Sequence, residues 1–167
     1  MATHTPQQIT ELEKEASKPE AIPALMAYIE EFNKGGPRVE LIRNLEGAIK
    51  GMDCAMEITR GVALGVLAGI HATAAPGRPL EVEVARQQVQ RQVEANKAVI
   101  EQQVLTSLLY AYRTLTDGEL TQYIEFAETP SARQYHQATS AALSAVMLSA
   151  CEAIGVEVGK SLAVSPK

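Results

Sequence analysis

Apolar positions recur every three to four residues along most of this chain, the spacing of helices with one buried face. Thr5, Pro6 and Gln8 mark the start of a first short helix, as N-cap, first helical position and third position. Leu25, Met26, Ile29 and Phe32 predict a second over about 21–33, with Pro23 close enough to its start to be tolerated. "NKGGPR" breaks the chain, and Pro37 opens a long third helix over about 38–75. "APGRP" is the next turn, because two prolines and a glycine cannot continue a helix. A fourth helix follows over about 80–114, with Val82, Val89, Val93, Asn96 and Ile100 on one stripe and Gln, Arg and Glu outside it. From Val104 to Tyr112 it turns far more apolar and is expected to enter the core. A short helix after Thr116 and another after Pro130 complete an all-α bundle of about six helices, two of them long enough to be kinked.

The most punctuated stretch is "LTDGELTQYIEFAETPSAR". Thr116 and Glu119 have capping-box spacing, a hydroxyl and a carboxylate that each satisfy a backbone N–H at a helix start. Leu115 and Leu120 stand where a hydrophobic staple forms. Tyr123, Ile124 and Phe126 supply packing surface, and Thr129-Pro130 ends this helix and caps the next, with Pro130 at its first position. A catalytic reading would make Glu119 or Glu125 a general acid, but capping already accounts for the spacings. The N-terminus carries a similar series, Thr5, Gln8, Ile9, Thr10, Ala16 and Pro19 against Thr116, Glu119, Leu120, Thr121, Ala127 and Pro130. This predicts a weak internal repeat inside a single domain over 1–167, with halves at about 5–34 and 116–162 flanking the long helices.

Composition sharpens the picture in one direction. Aromatics are 4% of the 167 residues and Trp is absent, while Ala, Val, Leu, Gln and Glu dominate, a mix that favours helices. Net charge is −5 with no cluster of Lys or Arg, which argues against nucleic acid as a partner. "MATHTPQQ" lacks the apolar core of a signal peptide, so the expectation is either a cytoplasmic protein or an exported one that lost its leader before this start. The longest apolar run, Gly61 to Ala75, falls short of the ~20 residues of a spanning helix, and a buried core helix rather than a transmembrane segment is expected.

Gly47, Gly51, Gly61, Gly65 and Gly69 line the third helix, each costing about 1 kcal/mol relative to Ala. Close approach of another helix is the compensating gain, and Ala138, Ala141, Ala142, Ala145, Ser149 and Ala153 offer a smooth partner face. The expectation is that these two helices pack tightly and antiparallel.

Catalytic, metal and cofactor motifs are not found. His4, His71 and His136 are scattered, with no HExxH and no Glu three residues before any of them. His71, on an apolar stretch, reads as a hydrogen-bonded core or boundary histidine, and His136 as exposed. "GVEVGKS" has its glycines one residue too close for a phosphate loop and lies at the end of a helical chain.

"LTDGELTQYIEFAETPSA" resembles the signature of a bacterial domain-of-unknown-function family, number 2059 in that series, over roughly 114–159. Leu115, Thr116, Glu119, Leu120, Phe126 and Pro130 fit its pattern, while Ala127 replaces a usual aromatic and Ala132 a common glycine. The resemblance implies an all-helical fold, export to the periplasm and no assigned activity or catalytic residues. In an oxidising compartment the antiparallel packing would bring Cys54 and Cys151 together, and a bridge closing a loop of about 97 residues would contribute roughly 4–5 kcal/mol at most. Two buried free thiols are the alternative. The expected function is a non-catalytic periplasmic interaction module, acting on an unknown protein partner or as a homodimer through the Val-lined fourth helix. Its rival is an apolar small-molecule or lipid site walled by Leu64, Leu67, Ile70, Val104 and Leu108.

Overall fold

The computed structural model describes residues 6–16, 18–75, 77–78 and 80–164, without the side chains of 6, 31 and 162–164. Thr5 and His4 lie outside the described residues. The fold is all-α, with helices α1 (Pro6–Ala16), α2 (Ile22–Lys34), α3 (Pro37–Ile49), α4 (Gly51–Ala74), α5 (Val82–Ala95), α6 (Lys97–Ala111), α7 (Asp117–Ala127) and α8 (Pro130–Val164). A 3-10 turn at Pro19–Ala21 precedes α2.

Both long helices foreseen from the pattern are broken in two. The first breaks at Lys50, which adopts left-handed φ 58° and ψ 38° and donates its N–H to the Glu46 carbonyl. The Glu46 carboxylate then accepts the Met52 N–H at 2.8 Å, so one residue closes one helix and starts the next. The second breaks at Asn96, whose side-chain amide donates to the Gln92 carbonyl at 2.8 Å and competes with the helical ladder. α1 and α7 are eleven residues each, but a 13-residue helix follows the first and a 35-residue helix the second.

The chain divides into two compact units. The first comprises residues 1–52 and 99–136. Its core is built from Val39, Ile42 and Leu45 of α3, Leu105 and Leu109 of α6, and Tyr112, Leu115 and Leu120 around α7. Within α3 and α6 they recur at three- and four-residue spacing, so each of these helices turns one apolar stripe inward. Arg38 ties α3 to the start of α7, donating to the Asp117 carboxylate at 2.7 Å and to the Tyr112 carbonyl at 2.6 Å. α1 lies over the core on Ile9, Leu12 and Ala16. Polar contacts fasten it: the Tyr112 hydroxyl donates to Glu13 at 2.5 Å, and Arg113 to Glu15 at 3.0 Å.

The second unit comprises residues 53–98 and 137–167. Here α4 and α8 pack with Gly65 and Gly69 against Gly155 and Gly159. A Cβ on Gly65 would stand 2.5 Å from the Leu148 carbonyl oxygen and 3.0 Å from the Glu152 nitrogen. One on Gly69 would meet the Glu152 oxygen, and one on Gly155 the Val66 oxygen. Close backbone approach therefore offsets the cost of these four glycines. Gly47 meets nothing, and Gly51 and Gly61 only ordinary van der Waals contact, so the tight surface is narrower than the glycine series implied.

The direction of packing corrects the antiparallel expectation. Gly61 faces Ser144, Gly65 faces Leu148 and Cys151, and Gly69 faces Glu152 and Val156, so both helices advance together. They are parallel. A stripe of small residues is equally smooth in either direction and carries no polarity signal. α5 lies beside α4, as the Arg60–Glu94 ion pair at 3.7 Å records.

Candidate interaction surface

The residues singled out at the start of α7 form a helix cap. The Thr116 hydroxyl oxygen accepts the Glu119 N–H at 3.3 Å, and the Glu119 carboxylate accepts the Thr116 N–H at 2.9 Å. Leu115 and Leu120 are both buried in the first unit's core, completing the staple. Thr129 accepts the Ala132 N–H at 3.3 Å, so it caps α8 with Pro130 at the first position. Ala132 is buried where the resembled family commonly has glycine. Glu119 is thus engaged with backbone, and Glu125 lies exposed.

The histidines stand apart from one another in role. His71 Nε2 lies 2.9 Å from the Arg78 carbonyl oxygen and fastens the turn after α4, where Gly77 takes φ 86°. His136 is half-buried rather than exposed, edge-on to Tyr135 at 5.9 Å between ring centres. Among the described residues no group of three His, Cys, Asp or Glu side chains could hold a metal.

Cys54 and Cys151 are free thiols, which corrects the expected bridge. The parallel register is the reason. A Cβ on Gly65 would stand 3.1 Å from the Cys151 Cβ, whereas Cys54 precedes Gly65 by eleven residues. At 1.5 Å per residue that is about 16 Å along the axis, against the ~7 Å limit between Cα atoms of a disulfide.

The valine stripe of α5 is also placed differently. Ala85, Val89 and Val93 are buried within the chain, leaving Val82 and Val84 exposed near the helix start. Of the stripe foreseen from the sequence, Val89 and Val93 are thus taken up by the chain's own packing, while Asn96 is exposed and Ile100 half-buried. The apolar pocket wall does not assemble within one unit: Leu64, Leu67 and Ile70 belong to the second, while Val104 and Leu108 belong to the first. Leu108 packs on the first unit's own core.

The uncovered apolar surface lies on α8. Only 11% of the most apolar stretch of α8 is buried, and 17% of that of α4. Leu143, Val146, Leu148, Ile154 and Val158 are exposed large apolar residues, with Val146 at 65%. Gln134 to Cys151 contains no Asp, Glu, Lys or Arg. The small residues Ala138, Ala142, Ala145, Ser149 and Ala153, expected to pack on the glycine helix, all face outward. By length and composition α4 and α8 would each suffice to cross a membrane, which the count of one short apolar run had not anticipated. The charge-free stretch was the signal for this surface in the sequence.

No family model, curated protein or solved structure matches the chain.

Proposed function

We propose that this protein is a non-catalytic helical interaction module, and that the outer face of α8 joins it to a second copy of itself. The observation that carries this reading is the uncovered apolar face of α8, of a kind that soluble monomers rarely expose. Ala138, Ala142, Ala145 and Ser149 stand at spacings of four, three and four residues, the alternation of paired helices. A two-fold axis sets such a stripe against its own copy, and its small side chains let the helices approach closely.

A bilayer fits this face less well. Parallel α4 and α8 would cross in the same direction, so the chain between them would have to return through the hydrocarbon. The helices of that return, α5 and α6, have 14 and 15 residues, short of the ~20 needed. α5 also carries Glu83, Arg86, Arg91 and Glu94, charges that cost several kcal/mol each at mid-bilayer, about 2.5–3.5 by insertion scales. A periplasmic setting and membership of the resembled family belong to this proposal through the motif around Thr116 alone.

Sedimentation equilibrium across a range of concentrations tests it. A reversible dimer is expected, with Val146→Glu and Ala142→Glu shifting it to monomer while helicity is kept. A monomer at all concentrations would sink the reading, and flotation of that monomer with neutral phosphatidylcholine vesicles would assign the face to lipid instead.

A further inference from the structure

The first unit holds a second feature, independent of the α8 face. Leu25 and Ile29 of α2 face Val99, Gln102, Gln103, Thr106 and Ser107 of α6 across a depression of about 230 Å³. Positions 99, 102, 103 and 106 form one stripe of α6, about a quarter turn around the helix from the Leu105–Leu109 stripe that enters the core. Thr106 is only 3% exposed, and its hydroxyl has no hydrogen-bond partner. A helical threonine ordinarily donates to the carbonyl four residues back, so an idle buried hydroxyl needs an explanation. Valine would fill the same space without an unpaired donor. The lining offers aliphatic walls, two carboxamides and two hydroxyls, and no charged group.

We propose that this depression is a binding site for a compact neutral molecule, apolar over most of its surface and bearing one hydrogen-bond acceptor such as a ketone or ester carbonyl. The aliphatic body lies against Leu25, Ile29 and Val99, and the Thr106 hydroxyl, shielded in the depression, turns about χ1 to donate its proton to the acceptor. Absence of charge in the lining selects against carboxylates and amines, whose desolvation nothing there would offset. The depression is a place where apolar burial gives affinity and one buried donor gives orientation.

Acetophenone and α-methylstyrene are a matched pair of probes, of similar shape with and without the carbonyl. Each is titrated into the full chain with methyl-labelled Leu, Ile and Val, read by methyl chemical shifts. Saturable shifts confined to Leu25, Ile29 and Val99 are expected, with acetophenone the tighter. Thr106→Val should weaken acetophenone about tenfold and leave α-methylstyrene unchanged, while Thr106→Ser restores the preference. Equal affinity of wild type and Thr106→Val for acetophenone would overturn the proposal. So would shifts that never saturate, or that centre on α8 instead.

Discussion

Gly69 faces the carbonyl of Glu152 so closely that a Cβ at position 69 would overlap its oxygen. The obstacle is backbone on both sides, with the Val156 nitrogen 2.5 Å from the same Cβ, so no side-chain rotation relieves it. Gly69→Ala is therefore expected to cost about 1–3 kcal/mol by forcing α4 and α8 apart. Gly47→Ala is the control, because nothing lies within 4 Å of a Cβ there and helix propensity gains roughly 0.5–1 kcal/mol. Urea denaturation of both variants should move in opposite directions. Equal shifts would mean that the α4–α8 contact is not tight.

Thr116→Ala removes the hydroxyl that receives the Glu119 N–H and is expected to cost about 1 kcal/mol. Glu119→Gln keeps an acceptor for the Thr116 N–H and should cost less than Glu119→Ala. Leu120→Ala, beneath the cap and fully buried, should cost about 2–5 kcal/mol. Thermal melts that rank Thr116→Ala level with Leu120→Ala would place the hydroxyl in something more than a cap.

The start of α7 was readable because every element of it is local: a hydroxyl, a carboxylate three residues on, and two leucines bracketing them. Local signals also marked the breaks at Lys50-Gly51 and Asn96, although the stripes of Gly and Val on either side obscured them by continuing in register. What the pattern lacked was partner identity. Gly65 and Gly69 announced close packing, but Gly155 and Gly159, weighed as a failed phosphate loop, proved to be the other half. Ala138 and Ala142 looked equally suitable and face outward. Helix direction depends on how intervening elements return the chain, which no stripe encodes. The stripe of α5 was likewise visible, but not that its middle, at Val89 and Val93, turns inward while Val82 stays exposed. Thr106 left no trace at all, being one hydroxyl in a run of ordinary helical residues.

The two thiols should differ in access. Cys151 is buried beneath Gly65, while Cys54 is partly exposed. Ellman's reagent should modify Cys54 first in the native protein, with Cys151 reacting only on unfolding. Denatured without reductant, the chain should show two reactive thiols, and none would restore the bridge.

Tyr112 provides a test at the alkaline end. Burial first, and then the neighbouring Tyr123 and Glu13, push its phenol far above the ordinary value of 10.0. Burial also raises Tyr123, whose ring lies 5.6 Å from that of Tyr112. Above pH 10 the unfolded chain releases these protons while the folded chain keeps them, so the unfolded state binds fewer and stability falls as pH rises. Below pH 10 the contribution is fully present. The slope should approach about 1.4 kcal/mol per pH unit for each phenol. Tyr112→Phe loses the hydrogen bond to Glu13 and should be less stable than wild type near neutrality by about 1 kcal/mol. It also loses one titrating group, so its deficit should shrink and then reverse between about pH 9 and about pH 11. Urea midpoints for both proteins across that range measure this, and a constant difference would mean that the Tyr112 phenol titrates alike in the folded and unfolded chain.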